Sequence, residues 1–360
     1  MIHLLGAPER LITASRQSRV SAEALGTEII PEALILPCVG HELRIFDPSD
    51  TSTFPGWKAG VYDREGDVCT ASLIDRQWTP VTVAFERQEL PHDGVERLRG
   101  EAVYGGLLFR HFGHFLLEST CRLWWPLHER FKGPILFHDP AGGVDLPDYA
   151  ARFFDLLGIS EQIHFVRHPV RFDRVIVPHR SFVIQKEGHP WFRTPFLLAG
   201  AAAERGFASM SDSTSTLADG LYLSRARVPG RRINGEDAIE SSLASAGYRI
   251  IHMEALPLEQ QILQIIRHDR VAGIAGSAMH NLLFAADRKT VIYICADREI
   301  NLNYFIIDEL MSNDATYIYN ETANSPPDTR TLDDIRKDRR DGEVKLDVPK
   351  LLGYLHTLMT

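Results

Sequence analysis

The stretch LYLSRARVPGRRINGEDAIESSLASAGYRIIHMEALPLEQQILQIIRHDRVAGIAGSAMHNLLFAA, Leu221 to Ala286, decides the fold. LYLS is a short apolar strand running into the arginine-rich loop RARVPGRR, Arg225 to Arg232. A helical stretch follows (Glu236 to Ala246), then the strand YRIIHM, then a helix from Leu258 to Arg267 with Ile262, Ile265 and Ile266 on one face. The strand RVAGI leads into the small-residue turn AGSA and a new helix, MHNLLFAA. Strands alternating with helical patterns imply a parallel sheet with crossover helices. The turn at Gly276-Ser277-Ala278 brings backbone close to a ligand and aims the free N–H groups of a helix start at an anion. Arginines leaving a neighbouring strand end can grip the same anion two-pronged, an arrangement that suits a diphosphate. The plain alternative is an ordinary strand–turn–helix with a solvated arginine loop.

Outward from this unit, SMSDSTSTLADG (Ser209 to Gly220) is small and polar and reads as an interdomain linker. A second α/β rhythm precedes it, with PILFH, QIHFV and RVIVP as strands, Tyr149 to Leu157 as a helix and residues 190 to 209 helical. The proline-rich first 105 residues read as irregular β structure. The domains expected are an N-terminal α/β domain (1–208), a linker (209–220) and a C-terminal nucleotide-binding domain (221–325). A charged connection and last helix (326–360) would pack back on the N-terminal domain.

RHFGHFLLESTCRLWW carries the second set of candidates. His111, His114, Glu118, Cys121 and Trp125 fall at steps of three and four inside a helix expected from His111 to Phe131. A histidine and a glutamate one turn apart on a buried helix fit a general base oriented by a carboxylate. A satisfied core pair is the alternative. A metal set of His111, His114 and Glu118, serving a hydrolase, is a third reading, without the zincin spacing.

Composition bounds the class. Of 360 residues, 44% are hydrophobic and 24% charged, as in a globular protein, with room for two cores. A net charge of -9 excludes a general phosphate-backbone binder, so no nucleic-acid partner is expected. Four scattered cysteines read as reduced thiols of a cytoplasmic protein. No stretch reaches the ~18 apolar residues of a membrane span, which leaves at most peripheral membrane contact.

With these two stretches in hand, the chain resembles glycosyltransferase family 61, a group that includes many capsule and polysaccharide-biosynthesis proteins. GHFLLESTCRLWW (Gly113 to Trp125) is similar to the family's Gly/Asn-His-aromatic-x-x-Glu/Asp followed by Arg-Leu. Ser224-Arg225, Arg231-Arg232, Glu236, Glu254, Gln261, Asp269, Gly273 and GSAMHNLLF (Gly276 to Phe284) follow in the family's order, with Ala275 where many members carry histidine. The resemblance implies an α/β GT-B-like fold, two Rossmann-like domains facing across a cleft, with an irregular β-containing N-terminal segment. It also implies an inverting transferase without a bound metal, using a nucleotide sugar, UDP-linked by expectation, and a saccharide acceptor. His114 and Glu118 become the catalytic candidates. Arg225, Arg231, Glu254, Gly276, Ser277, His280 and Asn281 become the donor and phosphate set. A non-catalytic nucleotide-sugar-binding or assembly protein is the rival from another class.

Overall fold

A computed structural model describes residues 2–7, 9–44, 53–76, 80–91, 93–143, 145–207, 219–228, 233–295, 301–319, 344–345 and 347–359. It is a mixed α/β protein with several sheets. The chain falls into two compact units, Arg19–Ala199 and Met1–Ser18 with Gly200–Thr360. Strand β1 (Ile2–Leu5) opens the chain and belongs to the second of these.

The Arg19–Ala199 unit is built on a six-stranded sheet. Its strands are β2 (Thr27–Ile35), β3 (Val61–Tyr62), β4 (Glu96–Leu107), β5 (Ile135–His138), β6 (Ile163–Phe165) and β7 (Val170–Pro178). The sheet order is β3-β2-β7-β4-β5-β6. The last four run parallel, and β2 pairs antiparallel with β7 and β3. Counted in chain order, the parallel strands lie 3-2-1-4, so the winding reverses between β4 and β7. Their inward residues, among them Ala102, Tyr104, Leu136, Val175 and Val177, form one buried core. Much of the segment expected to be irregular is thus regular strand, β2 to β4 included. The alternation of β2 is broken by proline and glutamate at Pro31-Glu32, which hides its period in the sequence.

The second unit holds an all-parallel sheet of β8 (Gly220–Leu223), β9 (Tyr248–Ile251), β10 (Arg270–Ile274), β11 (Thr290–Cys295) and β12 (Asp314–Tyr319). The order is β1-β12-β11-β10-β8-β9. Counted from β8, the strands lie 2-1-3-4-5, a doubly wound order that reverses between β8 and β10. β1 adds a sixth strand beyond β12, with Leu4 opposite Tyr317. Helices Glu236–Ser245, Leu258–Arg267 and Asn303–Met311 make the crossovers, close to the bounds the 3.6 periodicity gives. The final helix, Val348–Met359, sends Leu351 and Leu355 into the core of its own unit beside Ile239 and Leu243. Sequence reading sets that helix against the N-terminal domain instead. Two leucines four residues apart define an apolar stripe but do not name its partner. Residues 208–218, most of the expected linker, lie outside the described residues.

Candidate active-site constellations

In open α/β sheets ligands bind outside the carboxyl ends of the strands, where the winding reverses. Both sequence-derived candidate sets sit at such points, each within its own unit.

In the first unit, β4 ends at Leu107 beside β7, and the chain turns into the histidine segment. The continuous helix expected from His111 to Phe131 is instead three pieces: a turn at Phe112–His114, a π turn at Phe115–Ser119 and a helix at Trp124–His128. The cause is local. The Thr120 hydroxyl donates to the Leu116 carbonyl at 2.6 Å, and the Ser119 hydroxyl takes the Phe109 N–H at 2.9 Å. Hydroxyls that compete for backbone groups bend helices, and π turns recur at functional sites.

The bend leaves Glu118 buried (5% exposed) and the His114 side chain half-exposed at 39%, with Nδ1 2.6 Å from the Glu118 carboxylate. Arg76 grips the same carboxylate two-pronged, at 2.9 Å from Nε and 2.8 Å from Nη2. Burial alone would raise the Glu118 pKa. The hydrogen bond from His114 and the charge and hydrogen bonds of Arg76 outweigh it, holding the carboxyl below its ordinary value. An ionised carboxylate has no proton to give, so the hydrogen of the shared bond is on His114 Nδ1, which in the neutral ring leaves the lone pair on Nε2. Arg76 Nη2 lies 3.3 Å from Nδ1, a contact between two donors. The residue before Arg76, Asp75, is held from across the switch point. Arg180, just past the end of β7, donates to the Asp75 carbonyl at 2.6 Å and pairs with the Asp75 carboxylate. Arg76 escaped the sequence reading, because a lone arginine in an aperiodic loop carries no pattern.

His111 stands with its ring 5.2 Å from that of His114. Among the described residues no group of three or more His, Cys, Asp or Glu side chains is placed to hold a metal ion.

In the second unit, Arg225 and the Gly276 turn leave β8 and β10, the two strands flanking the reversal. A Cβ placed on Gly276 would meet the Arg225 guanidinium at 2.9 Å, so the arginine lies directly over this turn. Glu236, the first residue of its helix and 2% exposed, accepts the Arg225 backbone N–H at 2.7 Å and the Tyr222 hydroxyl at 3.2 Å. Burial raises the Glu236 pKa, opposed by those two hydrogen bonds. Glu236 belongs to the family resemblance, but its hold on Arg225 is legible only in three dimensions. Glu254 sits exposed at the end of β9, 4.0 Å from His252.

Ser277 is partly exposed at the start of a 3-10 helix, Ser277–Phe284, where the sequence reading expects a helix over MHNLLFAA. Asn281 donates to the Ala278 carbonyl three residues back at 3.0 Å, a span that fits the tighter turn. Asn281 is fully buried and also reaches Gln261 at 3.2 Å, and His280 is 5% exposed with its ring 5.5 Å from Tyr304. Both side chains are therefore buried, and Asn281 braces the turn from inside. Arg231 lies outside the described residues.

Over residues 112–293 the chain matches the family model for glycosyltransferase 61. The chain belongs to glycosyltransferase family 61. It is accordingly a glycosyltransferase. No curated protein matches it. Two solved structures similar to it are forms of TibC. One is a dodecameric iron-containing heptosyltransferase in complex with ADP-D-beta-D-heptose, 13% identical over 96% of this chain and 98% of the other, with a TM-score of 0.31. The other is an iron-containing dodecameric glycosyltransferase from enterotoxigenic E. coli H10407, 12% identical over 77% and 79%, with a TM-score of 0.28. Among the described residues of this glycosyltransferase, no helix is long and apolar enough to cross a membrane.

Proposed function

We propose that this family 61 enzyme is an inverting, metal-independent transferase that moves a sugar from a UDP-linked donor to a saccharide acceptor. The setting is cytoplasmic synthesis of capsule or other cell-surface polysaccharide. The observation that carries the reading is the buried, arginine-held Glu118 beside a half-exposed His114. It makes His114 Nε2 the base and Glu118 the group that fixes its tautomer and balances the imidazolium.

In the proposed reaction His114 removes the acceptor hydroxyl proton and the acceptor oxygen bonds to the anomeric carbon. The bond from that carbon to the diphosphate breaks, and its electron pair leaves with the phosphate. Arg225 and the N–H groups at Gly276-Ser277 would stabilise that leaving charge, with Glu254 at the ribose. His280 and Asn281 support the phosphate turn from beneath. The arrangement requires the two units to act as the paired domains of a GT-B fold.

The test is transfer with purified enzyme in EDTA, with the anomeric configuration of the first product read by NMR. His114→Ala should lower kcat by roughly 10²–10⁴ while leaving nucleotide affinity intact. A retained anomeric configuration, a need for added metal, or an active His114→Ala enzyme would each remove the corresponding part of the proposal.

A further inference from the structure

At the amino-terminal end of the parallel strands in the Arg19–Ala199 unit lies a polar cavity of about 330 Å³. Arg64, Arg97, Arg171, Glu32, Asp93 and Gly94 are among the residues that line it. Arg97 on β4 and Arg171 on β7 are register partners, one directly beside the other. Like charges at paired positions repel, and a sheet keeps such a pair at a cost unless an anion lies between them. The internal counter-charges are weak. Glu32 stands 3.7 Å from Arg64, and Arg171 donates to the backbone carbonyl of Glu32, not to its carboxylate. Among the described residues no carboxylate is paired with Arg97. Glu32 itself holds a left-handed backbone (φ 46) inside a strand, a strained state that turns its carbonyl to Arg171. Three arginines and two acidic residues thus line one open cavity.

We propose that this cavity is a second, non-catalytic site for a phosphate-bearing ligand. Guanidinium forks match phosphate oxygens two at a time, and a dianion between Arg97 and Arg171 converts their repulsion into shared attraction. The site is separate from the histidine constellation. The ten residue steps along β4 from Arg97 to Leu107 span roughly 33 Å. The phosphate belongs either to a soluble sugar phosphate or to a phospholipid headgroup, and the same pocket chemistry serves both.

Isothermal titration of the full-length protein with inorganic phosphate and glucose 1-phosphate, with glucose as the uncharged control, tests the site. The wild type should bind both phosphates saturably and ignore glucose. Arg97→Gln and Arg171→Gln should each weaken binding about tenfold, and Arg205→Gln should change nothing. The same pattern is expected in an Arg225→Ala background, which separates this pocket from the proposed nucleotide site. Flotation with phosphatidic acid vesicles, lost in Arg97→Gln, assigns the phosphate to a lipid headgroup. Soluble binding without flotation assigns it to a sugar phosphate. The site is refuted by no saturable binding up to the order of 10 mM, by unchanged affinity in both pocket variants, or by binding abolished in Arg225→Ala alone.

Discussion

At the scale of single residues, two side chains set the proposed chemistry without being its reacting groups. Arg76 holds Glu118 in its ionised state, and Glu236 holds the backbone from which Arg225 projects. Replacing Arg76 by alanine leaves a buried carboxylate whose remaining ionic partner among the described residues is His114. The expected loss is about 1–3 kcal/mol of stability, with the acid limb of the kcat profile moved to higher pH. Lysine, a single point charge, should restore the limb only in part. An unmoved limb would show that Arg76 serves structure alone. Because Glu118's folded pKa is depressed below 4.5, its stabilising pull is present above that value and lost as pH falls through the folded one. The deficit of Glu118→Gln at pH 7 should therefore shrink below about pH 4 in denaturant titrations. In the second unit, Gly276→Ala must push aside the guanidinium 2.9 Å away. UDP affinity should fall about tenfold with little change in Tm, and unchanged affinity would take Arg225 out of the donor site.

At the scale of elements, the second unit was legible because its strands are continuous apolar runs, the mark of sheets buried on both faces. TVIYI, RVAGI and LYLS could be placed to within a residue or two. The histidine segment was misread as one helix because its 3.6 spacing is real while the Ser119 and Thr120 hydroxyls, which break it, are silent in a periodicity count. Helix Asn303–Met311 shows the same blindness to polar partners. Its Asp308 is buried and accepts bonds from Tyr293, Tyr317 and Asn313. Burial pushes the Asp308 pKa up from 3.8 to about 6, against those three hydrogen bonds. A carboxyl raised on folding favours the native state fully below its unfolded value, and that advantage disappears as pH rises through the folded one. Between pH 7 and 4 the wild type should thus gain on Asp308→Asn by up to about 3 kcal/mol. Parallel pH dependences of the two proteins in urea would mean that the Asp308 pKa is not raised on folding.

At the scale of the molecule, the feature least visible in the sequence is the long-range one. Ile2–Leu5 reads as an apolar start to the N-terminal region, yet it pairs parallel with β12 more than three hundred residues later, Ile2 opposite Ala315 and Leu5 opposite Ile318. No local pattern encodes a partner at that distance, since a four-residue strand has periodicity for neither its register nor its sheet. The physical consequence is an edge closed by the chain's own beginning. Without β1, the N–H and C=O groups of β12 on that side would face water, and Leu5 would leave the core that holds Ile318 and Leu355. Removing residues 1–18 should therefore act on the C-terminal sheet and not on the Arg19–Ala199 unit. Losing the apolar contacts that Leu5 and its neighbours make with that core is worth about 2 kcal/mol, or roughly 4–8 °C for a unit of this size. The unpaired edge should add concentration-dependent association. Hydrogen exchange on the truncated protein would localise the effect: faster exchange along β12 and β11 with β4 and β7 unchanged is expected. Equal acceleration in both sheets would mean that the two units share one cooperative core.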